Sequence, residues 1–165
     1  MEAVSNAMSE FRIDKERRSA TLTLSDGRLV SGSFFVAGSS LAHNGPERVK
    51  DVLNGESAFF PFEVRREGAV QSGLYNRDQV VVVSLASDEA HSEAAYEVAK
   101  RQSVSIQLST GGRVSGLVRV YCPRGHDRLS DYTRANETFR YVETSDALLI
   151  VNFRYVLELI EVEAA

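Results

Sequence analysis

Two charged pairs recur at matching places in this chain and are the first candidates for chemistry. Arg48 and Asp51 are spaced i, i+3, and Arg128 and Asp131 repeat that spacing at an offset of 80 residues. An arginine and a carboxylate so placed can grip a charged partner. On a short helix the same spacing closes an i, i+3 staple instead. Asn76 and Asn152 recur at an offset of 76. They could contact a ligand, or bond their own turn backbone. Cys122 and His126 bracket Pro123-Arg124-Gly125. Two such ligands suggest a metal, but a structural zinc takes four, and His43 and distant His91 do not complete the set. Arg124 could lower the Cys122 thiol pKa, yet no base and orienting acid stand beside it in sequence. The residues supply no paired acid and base, phosphate loop or metal set, so a non-enzymatic chain without metal or cofactor is expected.

These residues sit on a repeat. Ser19 to Val36 reads SATLTLSDGRLVSGSFFV, and Ser103 to Val120 reads SVSIQLSTGGRVSGLVRV, aligned without a gap at an offset of 84. The offset falls to 80 at the Arg-x-x-Asp segments and to 76 at the asparagines, so the second copy is shorter. An internal repeat sets the architecture before anything else does. Thr21 to Leu24 and Ser105 to Leu108 alternate with period 2, as half-buried strands do. Ser25-Asp26-Gly27 and Ser109-Thr110-Gly111-Gly112 are turns. Gly32 and Gly116 fall on the inward face of the returning strand, where glycine marks a bend or bulge. A short helical segment and three further strands follow in each copy. Residues 87–102 are rich in Ala and Glu, open at Ser87-Asp88 and close on Lys100-Arg101, which predicts a connecting helix. The lead from Ser9 to Arg18 is expected to be helical as well. Ser5-Asn6-Ala7-Met8 reads as a cloning remnant or as the run-up to an alternative start, so residues 1–8 stay out of the fold reading.

The copies differ in aromatic content. Phe35 aligns with Arg119, and Phe60 with Arg140. A position that accepts arginine in one copy is expected to face outward in both. Phe35 and Phe60 are therefore candidates for an apolar contact surface, either between the copies or with a partner. The even spacing of Phe60 and Phe62 competes with that reading for Phe60.

Composition narrows the classes. The 165 residues carry 19 basic and 23 acidic side chains, a net charge of −4. Acidic residues outnumber basic ones in each copy, which disfavours nucleic acid, whose binding draws on clustered Lys and Arg. No stretch approaches the ~20 apolar residues of a membrane span. A lone cysteine and the lack of a secretory leader point to the cytoplasm.

The order of a helix followed by five bent strands resembles the Sm-like fold, a small SH3-type barrel. Leu24 to Gly32, with Asp26-Gly27-Arg28, resembles the first Sm signature. Leu74 to Val80 and Ile150 to Phe153 resemble the second. Arg48-Val49-Lys50-Asp51-Val52-Leu53-Asn54 with Phe59-Phe60 is similar to uncharacterised bacterial small-barrel proteins carrying Arg-Leu-x-Asp-x-Leu-Asn. The resemblance implies a mainly β chain with short helices, built as two tandem five-stranded Sm-like or SH3-like barrels. Repeat 1 is expected over 9–86, the linker helix over 87–102 and repeat 2 over 103–163. The expected function is a bacterial protein-interaction or regulatory module, with Phe35, Phe60, Arg48, Asp51, Arg128 and Asp131 on its partner surface and oligomerisation open. The alternative is an Sm-like RNA-binding protein.

Overall fold

Alternating apolar residues build the first hairpin. Ala20, Leu22 and Leu24 line the buried face of β1 (Lys15–Leu24), and Val30, Phe34 and Val36 that of β2 (Leu29–Ala37). Gly27, at φ 90°, supplies the left-handed residue of the turn between them. The computed structural model describes residues 15–163 except 41, 42, 44, 122–124, 126, 127 and 135. After the hairpin come α1 (Val49–Leu53), β3 (Phe59–Arg66), β4 (Ala69–Asn76), a 3₁₀ turn (Arg77–Gln79) and β5 (Val80–Leu85). The second half repeats the series: β6 (Lys100–Leu108), β7 (Arg113–Val120), α2 (Leu129–Thr133), β8 (Phe139–Glu143), β9 (Leu148–Asn152), a 3₁₀ turn (Phe153–Tyr155) and β10 (Val156–Glu161).

The protein is mainly β. All ten strands form one antiparallel sheet in the order β10-β6-β7-β8-β9-β5-β1-β2-β3-β4. Each half has the same internal order, its last strand beside its first. The sheet is open, with β10 at one end and β4 at the other. The halves join where β5 pairs with β9, Val82 opposite Val151 and Val83 opposite Ile150. Both faces of these two strands are covered. Val80, Val83, Leu85, Leu148 and Ile150 belong to a first core with Leu22, Phe34 and Phe62. Val81 and Val151 belong to a second core with Ile106, Val118 and Val142. Burial on both faces explains why β5 and β9 read as nearly unbroken apolar runs.

Gly32 and Gly116 are needed for close approach. A Cβ on Gly32 would lie 1.9 Å from the Glu63 carbonyl oxygen, and one on Gly116 would lie 2.6 Å from that of Glu143. In each copy β2 or β7 crosses close to its next strand at the glycine, as strand glycines permit.

Two helices expected from the sequence are replaced by other structure. The linker over 87–102 is not a helix: a 3₁₀ turn at Ala90–Ser92 and further turns lead into β6 at Lys100. Ala95 sits at φ 63°, outside the right-handed helical region. Helix propensity is a weak prior, and a helix this short is marginal alone. Here the connector's side chains bond both halves. The expected lead helix is overridden at its described end, where Arg17 and Arg18 pair in β1 with Phe35 and Phe34; residues 9–14 lie outside the described residues. Among the described residues no helix is long and apolar enough to cross a membrane.

Candidate functional site

The connector lies over a cleft between the two halves, a cavity of about 670 Å³ lined in part by Arg48, Lys50, Glu93, Arg119, Tyr141 and Glu143. Its floor begins at α1. The free backbone N–H groups of a helix's first turn attract an acceptor. Glu89 of the connector meets this need, accepting from Val49 N at 2.9 Å and Lys50 N at 3.1 Å. Tyr141 of β8 donates its hydroxyl to the same carboxylate at 2.6 Å. Burial, then the charge of Glu89, pushes the Tyr141 hydroxyl pKa up.

Glu93 takes the other side of α1. It pairs with Lys50 and lies 3.7 Å from Arg48. Lys50 also reaches Glu137 at 2.8 Å and sits 4.6 Å over the Tyr141 ring. At the far wall Arg119 Nε donates to Glu143 at 2.7 Å, Arg119 Nη1 donates to Tyr96 O at 3.0 Å, and the guanidinium stacks 3.6 Å over the Tyr96 ring. Tyr96 completes the loop by donating to Glu143 at 2.6 Å. Burial and the Glu143 acceptor raise the Tyr96 pKa. The cleft is thus a polar network in which one element's carboxylates hold another's cations and hydroxyls. It fixes the connector to both halves.

The repeated Arg-x-x-Asp pairs lie at the starts of α1 and α2. Asp51 accepts the Arg48 backbone N–H at 2.8 Å, and Asp131 accepts that of Arg128 at 3.1 Å. This is the return half of a capping box. In the first copy Asp51 also takes the Arg48 guanidinium at 3.2 Å and His43 at 2.7 Å. Burial works against the Asp51 charge, but the bonds from His43 and Arg48 outweigh it and lower the pKa. In the second copy Asp131 pairs with Arg134 at 3.6 Å. Only Arg48 of these four residues lines the cleft.

Phe60 and Phe35 separate. Phe60 is not on an outward surface: it is buried in the first core, stacked on Phe34 with ring centroids 5.2 Å apart. The comparison with Arg140 misleads because Arg140 is itself buried. Its guanidinium bonds the carbonyls of Glu137 and Tyr132 and lies 4.8 Å and 4.7 Å from the rings of Tyr132 and Phe153. Arginine suits that position because the carbonyls at the end of α2 accept from it. Phe35 is half-buried, with the Arg17 guanidinium 5.6 Å from its ring. Its counterpart Arg119 is in the cleft.

Both repeated asparagines cap 3₁₀ turns. Asn76 Oδ1 accepts from Asp78 N at 2.9 Å, and Asn152 Oδ1 from Arg154 N at 3.0 Å. Cys122 and His126 lie outside the described residues. Glu89, Glu93, Tyr96 and Tyr141 belong to no repeated motif, and Glu143, which repeats Glu63 at the offset of 80, carries no local sign that it faces Arg119. The exchange of Phe35 for Arg119 was the available signal, since a cation that replaces an aromatic ring at a half-buried position needs an acid. Compared with protein-family models, curated proteins and solved structures, the chain has no match.

Proposed function

We propose that the chain is a non-enzymatic, cytoplasmic protein-interaction module built from two tandem small barrels of the Sm or SH3 type. The observation that carries this reading is the exposure of apolar side chains at both ends of the sheet: Val70 and Leu74 on β4, Leu157 and Ile160 on β10. Exposed apolar residues gathered along strands with one free edge mark contact surfaces. The cleft has a supporting role. Its cations are held by its own carboxylates and carbonyls, so it rigidifies the unit that presents those ends.

The test is capture from nuclease-treated extract with the tagged chain, beside a variant carrying Leu74→Glu and Leu157→Glu. Protein that survives nuclease and is lost with the variant is the expected result. Capture of RNA with a steep salt dependence would replace this reading with the RNA-binding one.

A further inference from the structure

The joint between the halves pairs the fifth strand of one copy with the fourth strand of the other, β5 with β9. The two ends of the sheet are the same two strands again: β4 is the counterpart of β9, and β10 that of β5. Each end therefore carries the half of the joint that the other lacks. We propose that β4 of one molecule pairs antiparallel with β10 of a second copy of this chain, repeating the internal joint between molecules. This deepens the interaction-module reading, on which it rests, by naming the partner.

The residues that seal the internal joint have exposed counterparts at the ends. Ile150 of β9 is 0% exposed in the first core, while its counterpart Leu74 of β4 is 72% exposed. Val81 of β5 is 0% exposed in the second core, while its counterpart Leu157 of β10 is 70% exposed. Val81 reaches across the joint because the β1–β5 ladder skips it: Thr23 faces Val82 and Leu24 faces Val80. The β6–β10 ladder skips Leu157 in the same way, Gln107 facing Glu158 and Leu108 facing Val156. A bulge kept at the same place aims Leu157 outward, as its counterpart aims Val81 into the neighbouring core.

The polar partners recur as well. Asn152 Nδ2 donates to Val80 O across the internal joint at 2.9 Å. At the free ends the same bond would run from Asn76 of one molecule to Val156 of the next. Arg154 meets Asp78 across the internal joint at 3.4 Å. Their roles exchange between the copies, so a joint between molecules again sets Arg154 against Asp78. β4 contains no Lys, Arg, Asp, Glu or Pro, none of the residues with which lone edge strands discourage pairing. A head-to-tail joint of this kind gives a ring where its rotation closes and an open filament where it does not.

The experiment is the mass of the purified full-length chain by sedimentation and light scattering at micromolar concentration. The expected mass is a whole multiple, two or more, of the 18.2 kDa monomer. Leu74→Glu and Leu157→Glu, each at an exposed position, should each give a folded monomer alone. Mixed, they should form a one-to-one dimer, since the first retains an intact β10 and the second an intact β4. Ile160→Lys tests the β10 end a second way. A wild-type monomer overturns the proposal. So do folded single variants that stay apart when mixed, and single variants that each dimerise alone. A wild-type monomer that still captures another protein through these ends would refute the second copy while leaving the interaction module standing.

Discussion

The side chain of Asn54 makes both hydrogen bonds that a neighbouring strand would make to Phe139: its Oδ1 accepts from Phe139 N and its Nδ2 donates to Phe139 O, each at 2.9 Å. Asn54 closes α1 in the first half and Phe139 opens β8 in the second. The end of one short helix thus holds the edge of the other half's strand. Asn54→Ala removes both bonds and leaves two backbone groups short of partners, a cost of about 2 kcal/mol at ~1 kcal/mol each. For a chain of this size that lowers the melting temperature by about 4–8 °C. Thermal denaturation followed by circular dichroism checks it, and an unchanged melt would show that the clamp adds nothing.

Gly32→Ala should be the more damaging of the two strand-glycine substitutions. The added methyl meets backbone oxygen in both copies, but at 1.9 Å for Gly32 against 2.6 Å for Gly116. Backbone cannot swing aside as a side chain can, so β2 and β3 must part. Overpacking of this kind costs about 1–3 kcal/mol, with Gly116→Ala at the lower end. Denaturant midpoints for both variants give the order directly.

Phe35→Arg and Phe60→Arg should diverge. Phe60 stacks on Phe34 inside the first core and lies 6.2 Å from the Tyr75 ring. Loss of a buried phenylalanine costs about 3–5 kcal/mol, so Phe60→Arg should fail to fold or melt far earlier. Phe35 is half-buried with the Arg17 guanidinium 5.6 Å from its ring, Glu63 holds Arg17 at 3.2 Å, and the second copy carries arginine at the matching position. Phe35→Arg should shift the melt little. Equal melting of the two variants would contradict the placement of Phe60.

Asp51 makes stability depend on acid. Its pKa is depressed in the folded chain, so the unfolded chain binds its proton first as pH falls. The carboxylate's contribution is complete above the unfolded value, about 3.9, and is lost as pH drops through the lower folded value. Asp51→Asn should cost about 2 kcal/mol at neutral pH, the scale of a charge-assisted hydrogen bond, and should flatten the stability profile below pH ~4. Urea midpoints across that range for both proteins test the slope; parallel profiles would place the acid sensitivity elsewhere.

The repeat made much of the fold legible. Period-2 alternation in Ser19 to Val36 and its copy located two hairpins with their inward faces, and Gly27 and Gly111 located their turns, because strand pleat and positive φ are local properties of the backbone. The shared Arg-x-x-Asp and asparagine positions located the short helices and 3₁₀ turns for the same reason. What the chain could not reveal locally was how the copies meet. The pairing of β5 with β9 depends on strands about 65 residues apart finding one another, and no periodicity encodes a partner. The Ala and Glu content of the connector favours a helix, but in the folded chain Glu89, Glu93 and Tyr96 are engaged by α1, Lys50 and Glu143 instead. Phe60 was misread because the tolerance of arginine at Arg140 comes from carbonyls at the end of α2, a neighbour that only the folded chain supplies. The sequence by itself determined the repeated strand-rich unit, since hydrophobic period and turn chemistry act over a few residues. The tertiary structure decided the single open sheet, the cleft between the halves and the unpaired edges, since burial, ion pairing and strand pairing are settled by residues distant in the chain.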